Sequence, residues 1–274
     1  MTRRLANKHI FSSNLRKVMG YSRLYPFMEL HSADVVQMTP GGDDFMGDTL
    51  RTDIYTVSNG GGTSGGTAAA SPVITGGALN GVLDMVTGTA GNSTASSEIC
   101  SGLNYRGDHG AVMVACLTLD IITGVKAEIG FTDALDDPGG INAKETPTFT
   151  ATDCALWCLD TSDNTYWEGL SANNGSTAPM ANVEAAIAPV AATYEWLMVE
   201  LLPSDTGDNE CTVAFRRFTQ AGELTYEAIG GTGTNQGVSS NVLLTPWLYV
   251  EARNATSKVM SVDYWNAWQL RTAV

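Results

Sequence analysis

The chain has 274 residues, of which only 16% are charged, and its formal net charge is −14. It contains no run of about 18 apolar residues that could cross a bilayer, and residues 1–20 lack the apolar stretch of a signal peptide. The composition therefore argues against a membrane or secreted protein and favours a Gly- and Thr-rich β domain made in a cytoplasm.

Residues 1–42 are predicted to be a basic N-terminal arm. Residues 1–28 hold six of the 15 basic residues and no acidic residue, so the rest of the chain has nine basic and 29 acidic residues. A basic arm on an acidic body is suited to docking on an acidic surface. Nucleic acid is an alternative partner, which the acidic body disfavours, and a simply solvated terminus is another interpretation. The side chains expected to make the contact are Arg3, Arg4, Lys8, Arg16, Lys17, Arg23, Tyr21, Tyr25 and Phe27.

Residues 43–274 are predicted to form one all-β domain. The stretch GGGTSGGTAAA at 60–70 is expected to be a loop, because glycine and small residues have little to bury. After it, about nine strand-like segments are separated by turns rich in Gly, Asp, Asn and Pro. Leu197, Val199 and Leu201 should share one face of such a strand, with polar or larger residues on the other. The segments are VITGGALNGVLDMVTG, GAVMVACLTLD, VKAEIGF, CALWCLD, YEWLMVELL, CTVAFRRF, LTYEAIG, LLTPWLYVEA and KVMSVDYWNAWQL.

The five cysteines are an odd number and contain no CxxC pair, so they indicate neither a disulfide framework nor a zinc site. We expect reduced, mostly buried thiols. Cys154 and Cys158 should lie on one face of a strand, about 13 Å apart, which is too far for a disulfide.

Four stretches of the domain resemble the concanavalin-like jelly-roll sandwiches of bacteriophage structural proteins. They are GVKAEIGFTDALDDP, TDCALWCLDTSDNTYWEGLSANNG, TYEWLMVELLP with CTVAFRRFTQAGEL, and LTPWLYVEARNATSKVMSVDYWNAWQ. The resemblance covers roughly residues 43–269 and implies a jelly-roll β-sandwich with an extended N-terminal arm. It also implies that an early strand pairs with the last one, in SVDYWNAWQ.

Catalytic motifs are lacking. Related glucanases carry Glu-x-Asp-x-Glu on one strand, whose period of two aims the carboxylates at one cleft, and this chain has no glutamate followed two residues later by aspartate. The stretch at 60–66 formally matches two glycine motifs but lacks the strand and helix that both require. His9, His31 and His109 are dispersed, so a catalytic triad is not expected. We therefore predict no catalytic residue and no enzymatic activity.

No cofactor is expected, although calcium is an alternative because loop carboxylates are the oxygen ligands that it prefers. The same side chains are explained by turn formation without a metal. The candidate ligands are Asp133, Asp136, Asp137, Asp160 and Asp163.

Aromatic residues give a second functional hypothesis. The chain has six tryptophans, which can stack on sugar rings but more often fill a sandwich core or a subunit interface. Tyr166 and Trp167 lie beside a predicted turn and are the candidate exposed platform for a glycan.

The resemblance implies a non-enzymatic virion structural protein, which we expect to be a capsid decoration protein on the phage head, made in the host bacterial cytoplasm. Its partners would be the major capsid protein, contacted through the arm, and neighbouring copies of itself, as in a trimer. Such an oligomer would stabilise the shell by binding only the assembled lattice. The alternatives are a tail or fibre adhesin and a carbohydrate-binding module that recognises host glycan.

Overall fold

In the part of the chain that the structure describes, two large antiparallel β-sheets pack face to face as a jelly-roll sandwich. The computed structural model describes residues 18, 21, 36–37, 50, 55–59, 69–75, 81–89, 95–135, 139–175, 185, 187–203, 210–230 and 237–270. The fold class predicted from the sequence is confirmed. In these ranges, no helix is long and apolar enough to cross a membrane.

The larger sheet has nine strands. Seven lie side by side in the order β14 (Leu224–Gly230), β13 (Glu210–Thr219), β12 (Glu195–Leu202), β6 (Ala111–Leu119), β17 (Val259–Leu270), β4 (Leu83–Val86) and β3 (Val73–Ile74). In addition, β1 (Val36–Gln37) pairs with β17, and β15 (Val238–Ser239) pairs with β13. The expected pairing of an early strand with the last one is thus confirmed, and β1 brings part of the predicted arm into the sheet.

The smaller sheet has six strands. Their order is β11 (Trp167–Ala172), β10 (Cys154–Asp160), β7 (Val125–Thr132), β16 (Thr245–Ala252), β5 (Ser96–Cys100) and β2 (Thr56–Asn59). A separate hairpin of β8 (Ile141–Ala143) and β9 (Thr148–Phe149) follows β7, and a single-turn 3₁₀ helix, Gly107–His109, precedes β6. The sequence segments did not include β5 or β11, because their small and polar residues give no strong strand pattern.

The main core lies between the two sheets. Leu197, Val199 and Leu201 point into it from β12, as their alternation predicted. Trp157 spans the core, donating from Nε1 to the Met198 carbonyl at 3.1 Å. Its ring meets that of Phe215 edge-on at 5.4 Å between centroids, a favourable geometry for two aromatic rings.

The outer face of the nine-stranded sheet is also buried around β12, although β14 at the sheet edge has no buried residue. The alternation in β12 is typical of a half-buried strand, but all eight of its residues are buried. The reason is that Trp196 and Met198 pack in a second cluster, which includes Trp268 and the buried Val18 from the N-terminal segment. Tyr21 lies next to this cluster, with its ring 5.3 Å from that of Phe218.

The outer face of the six-stranded sheet carries a third apolar cluster, which includes Cys154 and Cys158. Their shared face is as predicted from the even spacing. All five cysteines are free and buried, which confirms the expectation of reduced thiols. Burial raises the pKa of each, that of Cys211 to about 12, so these thiols are poor nucleophiles in the folded protein.

Candidate functional site

A pocket of about 680 Å³ opens at one end of the nine-stranded sheet. One side is the loop 187–193 that leads into β12, and the other is the turn between β13 and β14. The volume lies within the range of about 300–1,000 Å³ that is usual for small-molecule sites.

The turn side of the pocket has a defined backbone. Thr219 and Glu223 close it, with the Thr219 N–H donating to the Glu223 carbonyl at 2.9 Å. Gly222 has a φ of 77°, a left-handed conformation that favours glycine. The indole of Trp196 donates to the Gln220 carbonyl at 3.2 Å and anchors the turn to the sheet. Gln220 and Glu223 are therefore presented to the pocket by a fixed turn.

The loop side is held as firmly. The Ala192 N–H donates to the Leu119 carbonyl at 2.7 Å, and the Thr193 N–H donates to the Val190 carbonyl at 3.1 Å. The Arg217 guanidinium also donates to the Ile187 carbonyl, which ties this loop to β13. The backbone at Ile187 and Val190 is thus held beside the opening, and both aliphatic side chains are exposed there.

A buried ion pair forms one wall of the pocket. The Arg217 guanidinium donates to one carboxylate oxygen of Glu195, and the Trp167 indole donates to the other at 2.9 Å. The side chains of Glu195 and Arg217 are 11% and 8% exposed. Burial raises the pKa of Glu195, and its two donors act in the opposite direction. The positive charge of Arg217 is therefore compensated by the Glu195 carboxylate within the pocket wall.

The remaining lining combines an aromatic ring with polar groups. Tyr194 lies just before β12 and is half-buried, and burial together with the negative charge of Asp263 raises its phenol pKa. The phenol therefore stays protonated and can donate a hydrogen bond. Thr193, Gln220, Glu223 and Thr225 also line the pocket. The Thr193 hydroxyl donates to the Ala191 carbonyl at 3.4 Å, and the Thr225 hydroxyl donates to the Arg217 carbonyl at 3.0 Å.

A second concentration of charge lies on the outer face of the six-stranded sheet, but it is closed. Glu128 is fully buried and accepts from the backbone N–H groups of Gly140 at 2.8 Å and Ile141 at 3.0 Å. It also accepts from the indole of Trp247 at 3.3 Å and pairs with Lys126 at 3.0 Å. A Cβ on the neighbouring Gly139 would lie 2.8 Å from the carboxylate, so there is no space for a ligand here. This network holds the segment before β8 against the sheet.

The predicted glycan platform is wrong for Trp167. Its side chain is fully buried and donates to Glu195, as described above, so it cannot stack on a sugar. Trp167 is in fact the first residue of β11, an element that the sequence did not reveal. Tyr166 is half-exposed. All six tryptophans are buried, which confirms the core-packing interpretation over the platform interpretation.

Three of the predicted calcium ligands have other partners. Asp160 pairs with Arg253 at 2.5 Å and accepts from the Ser162 N–H at 3.0 Å, so its charge is already compensated. Asp163 accepts from the Lys144 N–H at 3.1 Å, which is turn chemistry. Asp133, half-buried, accepts from the Thr152 N–H at 3.0 Å. Within the described ranges, no three His, Cys, Asp or Glu side chains are grouped to hold a metal.

Several predictions fall outside the described residues. Among the residues predicted to make the arm contact, Tyr21 lies within the described part of the chain. Its ring contacts that of Phe218 in the β-sandwich, and 44% of its surface is exposed. Docking of the arm on a capsid stays a prediction. The predictions outside the described part of the chain concern Arg3, Arg4, Lys8, Arg16, Lys17, Arg23, Tyr25, Phe27, Asp136, Asp137, His9, His31 and most of the glycine-rich stretch.

The sequence analysis did not identify the pocket residues Tyr194, Glu195, Arg217 and Glu223. A weak signal was available, because Glu195 and Arg217 are charged residues inside strongly apolar strand segments. Charged residues in such a position need a partner, but the sequence does not tell which strands are neighbours.

The fold is shared with solved structures of low sequence identity. A protein of unknown function from Shewanella oneidensis MR-1 matches with a TM-score of 0.57 and 13% identity, over 92% of this chain and 96% of that one. The carbohydrate recognition domain of Emp47p matches with a TM-score of 0.51 and 7% identity, over 87% and 98%. A Bacillus licheniformis β-glucanase matches with a TM-score of 0.50 and 12% identity, over 86% and 100%. No family model and no curated protein match the sequence.

These comparisons confirm the concanavalin-like jelly roll and correct two expectations. Nothing in them indicates a bacteriophage structural protein, so the capsid part of the resemblance has no support. The prediction that the chain is not an enzyme is contradicted, because the same fold is that of a β-glucanase. The lack of one catalytic motif therefore does not exclude enzymatic activity on this fold.

Proposed function

We propose that this protein binds carbohydrate in the pocket between the loop 187–193 and the β13–β14 turn. The observation that carries the proposal is the lining: the aromatic residue Tyr194 and the polar residues Thr193, Gln220, Glu223 and Thr225 all line one open pocket. A sugar presents apolar C–H faces and many hydroxyls, so it needs an aromatic surface together with hydrogen-bonding groups.

The fold agrees with this proposal. The Emp47p structure is a carbohydrate recognition domain, and it shares the jelly roll over nearly its whole length. Because fold does not determine function, the pocket lining is the stronger argument.

The experiment is a glycan array followed by calorimetric titration of the best ligand, on the wild type and two tyrosine variants. Tyr194→Ala should weaken binding at least about tenfold, or about 1.4 kcal/mol, because it removes the aromatic surface of the pocket. Tyr166→Ala is the matched control, since Tyr166 is also half-exposed and does not line the pocket. Equal losses in both variants, or a loss in Tyr166→Ala alone, would place the sugar elsewhere and reject this site.

Glycan cleavage is a second candidate, favoured by two carboxyl groups that line the same pocket. Glycoside hydrolysis uses a pair of carboxyl groups, and Glu195 and Glu223 both line this pocket. The test is the release of reducing ends from bound glycans by the wild type and by Glu223→Gln. If the wild type binds the glycan but releases no more reducing ends than buffer alone, the protein recognises the glycan and does not cleave it.

A further inference from the structure

We propose that the ligand of this pocket is an uncharged pyranose that carries a methyl group, such as an N-acetylated or a 6-deoxy sugar. This inference rests on the proposed carbohydrate binding and names its ligand class.

The apolar part of the argument is the rim of the pocket. Ile187 is 61% exposed and Val190 is 65% exposed, the highest values among the large hydrophobic residues of the described ranges. Both line the pocket, and their loop is held by the hydrogen bonds of Arg217, Ala192 and Thr193. Two exposed aliphatic side chains beside the same pocket offer a surface for an apolar group of a ligand. A plain hexose offers an aliphatic rim only its C–H faces, whereas a methyl substituent adds a projecting apolar group.

The charge of the lining excludes acidic sugars. Arg217 is the basic side chain among the described lining residues, and its guanidinium is occupied by the Glu195 carboxylate and the Ile187 carbonyl. Glu223 adds an exposed carboxylate, and the whole chain has a net charge of −14. An anionic sugar would meet repulsion without a cation to compensate it.

The two features together define the ligand class. Polar groups on the turn side suit sugar hydroxyls, and the aliphatic rim on the loop side suits a methyl group. Burying one methyl-sized group contributes about 0.8 kcal/mol, which corresponds to about a fourfold change in affinity.

The test compares paired sugars by competition: N-acetylglucosamine against glucose, 6-deoxygalactose against galactose, and glucuronic acid as the anionic member. The wild type should bind at least one methyl-bearing sugar about fourfold more tightly than its parent and glucuronic acid most weakly. Preference for the N-acetyl pair alone or the 6-deoxy pair alone supports the inference and identifies the methyl carrier.

Substitutions on the pocket rim test whether the preference for a methyl-bearing sugar arises there. Ile187→Ser and Val190→Ser should reduce the ratio between the affinities for methyl-bearing sugar and parent towards one. Leu243→Ser is the matched control, because Leu243 is 49% exposed and does not line the pocket, and it should keep the wild-type ratio.

The outcomes separate this inference from the proposed function. If parent and methyl-bearing sugars bind equally, or if glucuronic acid binds best, while Tyr194→Ala still abolishes binding, the ligand class is wrong and the site stands. If no sugar in the panel or on the array binds, both are overturned.

Discussion

Two regions of this molecule concentrate charged and aromatic side chains, and they differ in whether their polar groups are already occupied. On the outer face of the six-stranded sheet, Glu128 and Lys126 are buried and bonded to each other and to the segment before β8. At the end of the nine-stranded sheet, Tyr194 and Glu223 line an open pocket. A saturated network stabilises the fold, whereas groups that line an open space are available to a ligand.

The difference has a backbone cause. The segment at Gly139 and Gly140 approaches the six-stranded sheet so closely that no side chain would fit there. The Gly140 N–H donates a hydrogen bond to the Glu128 carboxylate. The β13–β14 turn and the loop 187–193 are each held by their own hydrogen bonds and leave a gap between them. The composition of the two regions alone would not have told them apart.

The largest expected effect on stability is at the closed network. Glu128→Ala removes the acceptor of two backbone N–H groups and leaves the buried Lys126 without its nearest carboxylate, so we expect a loss of about 3–5 kcal/mol in the free energy of unfolding. Urea denaturation measures it, with the exposed Glu145→Ala as the control, expected to change stability by less than about 0.5 kcal/mol. A loss below about 1 kcal/mol for Glu128→Ala would mean that the network does not hold this face.

Each of the two regions contains an isoleucine, so the effect of the same Ile→Ala substitution can be compared between them. Ile141 is fully buried in the cluster on the closed face, and Ile187 is exposed on the pocket rim. Ile141→Ala should cost about 2–5 kcal/mol, because it leaves a cavity. Ile187→Ala should stay within about 0.5 kcal/mol of the wild type. If thermal and urea unfolding give similar losses for both, the rim is packed rather than open.

The smallest effect is the pH dependence of Glu195. Because burial raises its pKa above the ordinary value of 4.5, the folded protein binds this proton more tightly than the unfolded chain does. The contribution of Glu195 to stability therefore falls as the pH rises from 4.5 through the raised pKa.

The measurement is the difference in unfolding free energy between the wild type and Glu195→Gln at several pH values. This difference should become less favourable to the wild type as the pH increases from 4 to 7. The opposite slope would show that the ion pair with Arg217 outweighs the cost of burial.

The strand pattern was readable because alternation has a simple physical origin. Leu197, Val199 and Leu201 had to share a face, and the even spacing of Cys154 and Cys158 had to place them together. By contrast, β11 was not predicted, because WEGLSA has little strand propensity and is held by its pairing with β10. Trp167 was consequently assigned to an exposed turn, although it is buried.

The amino-acid sequence by itself determined the all-β class, most strands, the free buried thiols and the resemblance to a concanavalin-like jelly roll. The class, the strands and the buried thiols follow from local periodicity and composition, whereas the jelly roll was implied by the family resemblance. Only the tertiary structure decided which polar residues are neighbours: it joined Glu195 with Arg217 and Trp167, three residues from different strands, and placed Tyr194 opposite the β13–β14 turn. The reason is that a pocket depends on strand order and register between distant segments, which the period of a single strand does not encode.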